Sequence, residues 1–384
     1  MLYDRRSMKA LPDISIPASA ASGPVRFASA RRILEQAIAD RAFPGASWGV
    51  LHQGQILALD AVGRFTYDDD SPAVTPSTIY DLASLTKVLA TTSAAMLLYD
   101  RGIFDLDARL GDILPGFVVG MRSGSSREKI ALRMLLAHDS GLPAYVRFFE
   151  QNPTPQSLLR AVLHTPLEAP PGTRAVYSDI GFILLGKAIE LLSGDYLPRF
   201  CERNIFHPLG LKSFRFNPPP SWKHLIPPTE NDTTFRHRVI QGEVQDENCF
   251  VLGGAAGHAG LFGHAVDLLR FAQALLKKTE SEPESAPPQL FRAETIDLFT
   301  TRQTTPADTT RALGWDTPGI PSSSGRHFGP LSFGHLGYSG TSLWIDPDRG
   351  LAVVLLTNRT WPDRSNQAIQ SVRPAFHDAV VTSL

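Results

Sequence analysis

Strand-like sequence at both ends of the chain and helix-like sequence between them predict an α+β fold. The expected architecture is an antiparallel sheet built from both termini and flanked by helices, with a mainly helical domain inserted. Near the start, SWGVLHQGQILALDAVGRF reads as two strands around a Gln53-Gly54 turn. Near the end, LSFGHLGY, GTSLWIDP and GLAVVLLTN are three apolar-rich runs separated by Gly and Asp-Pro signals. In between, the apolar positions recur with helical spacing. The expected division is an N-terminal tail over 1–26, a sheet domain from 27–80 plus 290–384, and a helical domain over 81–289.

Taken in order, the tail is rich in Ala, Ser and Pro. From Ala28 to Ala42, the positions Ile33, Leu34, Ala37 and Ile38 follow helical spacing and stop at Pro44-Gly45. Ser84 to Tyr99, LRMLLAHDSGL, Asp179 to Leu192 and AVDLLRFAQALLKK supply helices in the middle. NPPPSWKHLIPPTENDTTFRHR fits neither period and is expected to form a long surface loop near a site. ESEPESAPPQ reads as an exposed connection, and a last helix is expected near Gln367 to Val381.

A chain of 384 residues, 43% hydrophobic and 20% charged, has ample material for a core. Its formal net charge of −1, without a Lys/Arg block, gives no footprint for nucleic acid or an anionic membrane. No segment approaches the roughly 18 uninterrupted apolar residues of a membrane span, and the N-terminus lacks a signal h-region. A cytoplasmic protein is therefore expected, or a periplasmic or secreted one if the start is mis-assigned. Cys201 and Cys249 make no disulfide framework and no CxxC site; a buried pair of thiols and a single bridge both remain open.

Gly45-Ala46-Ser47-Trp48-Gly49 matches G-x-S-x-G, the nucleophile elbow, but that turn needs a strand before the serine and a helix after it. Here a helix and a Pro-Gly stop come first and a strand follows, so Ser47 reads as a small strand residue. Ser84 and Lys87, in YDLASLTKV, stand one helical turn apart, so hydroxyl and amine point the same way. A lysine kept neutral by desolvation or by nearby positive charge can take the serine proton. Tyr177, in AVYSD, precedes an apolar helix and can shuttle a proton to a leaving group, aided by a cationic lysine that lowers its pKa. In GHLGYSGT, His335 lies on a predicted strand, Gly337 would let substrate approach the backbone, and the N–H groups of Tyr338 and Ser84 would bind an oxyanion.

These three motifs, in this order and with LLAHDSGLP after the first, resemble the serine β-lactamase and penicillin-binding protein superfamily. The closest likeness is to its branch of class C β-lactamases, esterases, D-aminopeptidases and muropeptide amidases, from about Ala28 to the end. The resemblance implies a β-lactamase/transpeptidase-like fold with the active site at the junction of sheet and helical parts. It implies an acyl-enzyme on Ser84 with Lys87 as base, Tyr177 as general acid or base and His335 at the strand position of Lys-Thr-Gly. No cofactor and no metal are expected, and the partner is a small ester, amide or peptide substrate, possibly of cell-wall origin.

Two departures point away from a dedicated β-lactamase. His335 has no fixed charge near pH 7 with which to attract a carboxylate. Asp179 replaces an asparagine; it only accepts hydrogen bonds and would suit a substrate N–H or ammonium, or simply complement a helix N-terminus. The glycine-rich run 253–263, after Gln245-Asp246 and with Pro228-Thr229-Glu230, resembles the muropeptide amidases, so His258, Asp246 and Glu230 are expected along the cleft. Asp246, His258 and His264 match no standard zinc spacing. The leading expectation is an esterase or peptidase/amidase with at most weak β-lactamase activity. Alternatives are an N-acetylmuramoyl-L-alanine amidase, a true class C β-lactamase and a non-catalytic penicillin-binding-like protein.

Overall fold

The computed structural model describes residues 25–120, 124–276 and 290–384. Five antiparallel strands form the main sheet: β1 (Gly45–His52), β2 (Gln55–Gly63), β3 (Phe333–Leu336), β4 (Ser342–Asp346) and β5 (Leu351–Thr357), in the order β2-β1-β5-β4-β3. The two ends of the chain meet at its centre, where Val50 pairs with Val353. The β1–β2 turn places Gln53 at φ 50° and Gly54 at φ 76°, the left-handed pair whose twist suits a two-residue hairpin.

Burial on both faces explains why the β5 sequence is apolar without interruption. Leu351, Val353 and Leu355 join one core, with Trp48, Trp344 and helices α1 (Ala28–Ala39) and α4 (Ile369–Val381). Ala352, Val354 and Leu356 alternate to the opposite face and join the core shared with the helical part. Trp48 wedges between the two helices, edge-on to Phe27 at 6.2 Å and Phe376 at 5.7 Å. On the other face, α3 (Ala265–Leu276) lies against β1 so closely that a side chain at Gly49 would meet Leu269 Cδ1 at 2.8 Å.

The helical part is centred on α2 (Asp179–Ser193), whose residues 180–186 and 188–189 are buried. Ser178 caps it, its hydroxyl accepting from the Gly181 N–H at 3.1 Å, and Gly194 closes it at φ 69°. Ser84 to Tyr99 is not one α-helix. A 3₁₀ turn (Ala83–Leu85) runs into a π-helical stretch (Lys87–Thr92) and then an α-helix (Ser93–Asp100). The helix expected over LRMLLAHDSGL covers only Leu132–Leu136, because His138 at φ 60° and Gly141 at φ 81° turn the chain back.

The proline-rich excursion is more ordered than expected: a 3₁₀ turn (Pro220–Leu225) leads to a hairpin of Glu230–Asp232 with Arg238–Ile240. ESEPESAPPQ and most of the N-terminal tail lie outside the described residues. Cys201 and Cys249 are buried free thiols.

Candidate active site

Asp81 begins the site. Its buried carboxylate accepts from the Ala83 and Gln245 N–H groups at 2.9 and 2.8 Å, and burial pushes it up to about 6. That bond to Ala83 N–H closes a tight turn in which Ala83 takes φ 48°, a left-handed conformation costly for alanine. Ser84 follows, half-exposed in a run of buried residues, and Lys87 stands one turn on with no exposed surface.

The end of β3 is stitched to this turn. Ser339 Oγ donates to the Asp81 carbonyl at 2.7 Å and Thr341 Oγ1 to the Leu82 carbonyl at 3.1 Å. A Cβ on Gly337 would stand 2.6 Å from the Leu82 oxygen and would collide with Thr341. Glycine is thus required here by protein packing, where the sequence suggested only substrate approach. Among the described residues, the backbone N–H groups of Ser84 and Tyr338, both residues of the cavity lining, donate to no carbonyl or side chain.

The loop after Leu136 positions Tyr177 and Asp179. Its Pro143 carbonyl accepts from Ser178 Oγ at 2.7 Å, its Ala144 carbonyl from Asp179 N–H at 2.9 Å, and His138 Nδ1 from Ser178 N–H at 3.0 Å. The His138 ring lies 4.7 Å from that of Tyr177. A second clamp comes from the glycine-rich run. Gly257 touches α2 where Gly186 has no side chain, and a Cβ on Gly257 would strike the Phe182 carbonyl. The close approach lets Thr91 Oγ1 donate to the Gly257 carbonyl at 2.7 Å and brings the His258 carbonyl to Lys87.

Lys87 Nζ donates to Ser84 Oγ at 3.0 Å, Asp179 Oδ1 at 2.6 Å and the His258 carbonyl at 3.3 Å. Burial works against its charge, but the Asp179 carboxylate prevails and the amine is raised above its ordinary value. The sequence reading expected a neutral lysine; Asp179 makes it a cation. Tyr177, with Lys87 Nζ 4.6 Å from its ring centre, is raised as well: burial outweighs the nearby cation that was expected to lower it. Asp179, the first residue of α2, directs Oδ1 to Lys87, an engagement the sequence did not foretell.

His335 Nδ1 donates to the Leu336 carbonyl at 2.7 Å. Burial, with the charges of Lys87 and Arg311, holds it well below the ordinary imidazole range and keeps it neutral. His258 Nε2 bonds Asp246 Oδ1 at 2.9 Å, and Asp246 is lowered because, against burial, it faces that imidazole. His264 instead stands beside Asp267, and no three-residue metal cluster occurs among the described residues. Glu230 is buried and bonded to Gln245 and Arg364, and Arg364 also binds Glu247 at 2.7 Å.

Ser84, Tyr177, Asp179, His335, Gly337 and Tyr338 line one cavity of about 680 Å³. His258 borders it too, together with Arg311 and Arg364, which the sequence gave no periodic or motif signal to find. Ser47 lies elsewhere, fully buried in β1 opposite Leu356.

A buried lysine thus stands on a serine hydroxyl at the edge of the cavity. The family model Beta-lactamase matches residues 30–373, and the chain belongs to that family. It is 35% identical over 355 residues to the N-acetylmuramyl-L-alanine amidase of Bacillus subtilis (strain 168), covering 83% of this chain and 77% of that protein. It is 32% identical over 351 residues to a putative D-alanyl-D-alanine carboxypeptidase of Escherichia coli (strain K12), covering 83% and 79%. Among solved structures, EstCE1, a hydrolase with promiscuous acyltransferase activity, superposes with a TM-score of 0.73 at 21% identity over 93% of this chain and 98% of that one. The fold is therefore that of β-lactamases and penicillin-binding proteins, and the chain is a serine hydrolase acting on ester or amide bonds. Among the described residues, no helix is long and apolar enough to cross a membrane.

Proposed function

We propose that Ser84 attacks an ester or amide carbonyl and carries the acyl group until water releases it. The observation that carries this reading is the Ser84 hydroxyl, on a half-buried residue of the cavity lining, 3.0 Å from a fully buried Lys87. Lys87 handles the serine proton, the Ser84 and Tyr338 N–H groups hold the oxyanion, and Tyr177 protonates the leaving group. Donors fixed in place before the charge develops are worth about 10²–10³-fold in rate apiece.

A peptide-derived substrate such as a cell-wall fragment is favoured by two relatives, one named as a muramyl-alanine amidase and one as a putative carboxypeptidase. Such fragments occur on either side of the cytoplasmic membrane, so the same chemistry serves a cytoplasmic or a periplasmic enzyme. Efficient β-lactam turnover is disfavoured by the neutral His335 and by Asp179, whose Oδ1 is committed to Lys87.

Intact mass after treatment with a fluorophosphonate tests the nucleophile. One adduct on wild type and none on Ser84→Ala is expected, whereas an adduct on Ser84→Ala would refute the assignment. On the same protein, aryl esters and N-acetylmuramyl-L-alanine peptides should turn over faster than a chromogenic cephalosporin. The opposite order would make it a β-lactamase.

A further inference from the structure

As an ammonium, the form its Asp179 partner favours, Lys87 cannot accept the Ser84 proton. An ammonium has three donors and no lone pair, and its three partners are Ser84 Oγ, Asp179 Oδ1 and the His258 carbonyl. No other charged acceptor is bonded to it, and His335 Nε2, left without a partner, makes no bond to Lys87. Tyr177 is a half-buried phenol raised above its ordinary value and so protonated, with Arg311 5.3 Å from its ring centre. His138 is buried and neutral, and its Nδ1 is taken by the Ser178 N–H. His335 is likewise neutral and ties its Nδ1 to Leu336. Asp246 faces His258 and accepts from its ring. Among the described residues, Asp179 is the one carboxylate bonded to Lys87.

The geometry points to Asp179 as the group on which the Ser84 proton comes to rest during acylation, with Lys87 as the relay. The inference rests on the reading of Ser84 as nucleophile. As Ser84 Oγ bonds to the carbonyl carbon, its proton passes to Lys87 Nζ while an Nζ proton passes to Asp179 Oδ1. Lys87 thus remains an ammonium, Asp179 becomes a neutral acid, and the negative charge moves to the carbonyl oxygen. When the intermediate collapses, the bond to the leaving nitrogen or oxygen breaks and Tyr177 gives that atom its proton. Lys87 restores the Tyr177 proton and Asp179 restores that of Lys87, which leaves acyl-Ser84, a protonated leaving group and the original carboxylate. An asparagine would still accept the Lys87 hydrogen bond but could not take the proton.

The test compares wild type, Asp179→Asn and Asp179→Glu, with Ser84→Ala as blank. It measures kcat/KM for an aryl ester and the fluorophosphonate labelling rate across pH. Asp179→Asn should slow both at pH 7 by about 10²–10³-fold, the usual worth of a positioned base. Its acid limb should move to higher pH, because Lys87 must then lose a proton before it can act. Asp179→Glu should recover to within about tenfold with the wild-type limb. If Asp179→Asn stays within about threefold with an unmoved limb while Ser84→Ala is inactive, the relay is wrong and the nucleophile stands. Activity in Ser84→Ala would overturn the reading beneath it. Should Asp179→Asn fail to fold, acylation of wild type in H₂O/D₂O mixtures decides: two protons in flight give a curved dependence, and a linear one overturns the relay.

Discussion

Ser84 lies half-exposed at the start of a buried helical run, whereas Ser47 lies in the middle of the main sheet with no exposed surface. Ser84 Oγ receives a hydrogen bond from an ammonium whose charge is balanced by a carboxylate. Ser47 Oγ has no partner at all among the described residues. Both serines sit in short motifs of hydrolases. The difference shows that the surroundings of a serine are set by groups the fold carries to it, here Lys87 from the 83–87 turn, Asp179 from the start of α2 and the His258 carbonyl from the glycine-rich run.

The largest effect should come from pushing one of those segments away. Gly257→Ala places a methyl group against the Phe182 carbonyl and about 3.0 Å from Gly186 Cα, both backbone, so α2 and the loop must separate. The separation would withdraw the His258 carbonyl from Lys87 and the Gly257 carbonyl from Thr91. Overpacking of this kind costs about 1–3 kcal/mol, occasionally more, and a small misplacement can cost about 10²-fold in rate. Urea unfolding and fluorophosphonate labelling should both fall. Unchanged labelling would mean that the clamp does not position Lys87.

The same contrast governs what could be read from sequence. The sheet was legible because apolar runs bounded by Gly and Asp-Pro, and the Gln53-Gly54 turn, are local signals. The contact of Lys87 with Ser84 was legible because one helical turn separates them. The ionisation of Lys87 was not, because it depends on Asp179, 92 positions away in sequence. Gly337 was read as room for substrate, and its packing against the Leu82 carbonyl left no local signal. Arg364, joined to Glu230 and Glu247 across more than a hundred positions, left no trace in any window of sequence.

A middle-sized effect should appear on the sheet side, where a histidine is fully buried. His377, on α4, receives the Ser342 hydroxyl at Nε2 (3.2 Å) and donates from Nδ1 to the Ser323 carbonyl (2.9 Å). Burial lowers it from 6.5 to about 4. The unfolded chain therefore takes up a proton that the folded chain refuses between those two values. His377 thus contributes stability above pH 6.5 that is lost as pH falls toward 4. The loss is at most about 1.4 kcal/mol per pH unit. Urea midpoints from pH 7 to pH 4 should fall more steeply for wild type than for His377→Leu. Parallel slopes would show that His377 is protonated in the folded state.

The smallest effect should come from Ser47 itself, which bears most directly on the contrast between the two serines. Its hydroxyl is enclosed by the sheet and, among the described residues, bonded to nothing, so folding strips it of water without compensation. Ser47→Ala removes that oxygen and leaves a Cβ already accommodated between Leu356 and Ala61. An unsatisfied buried donor costs about 1–3 kcal/mol, while the small gap left by the oxygen returns part of any gain. The variant should be between unchanged and about 1 kcal/mol more stable in urea, with ester turnover within about twofold of wild type. A loss of labelling in Ser47→Ala would place the chemistry in β1 and reverse the contrast, since nothing in the surroundings of Ser47 could activate it without rearrangement of the sheet.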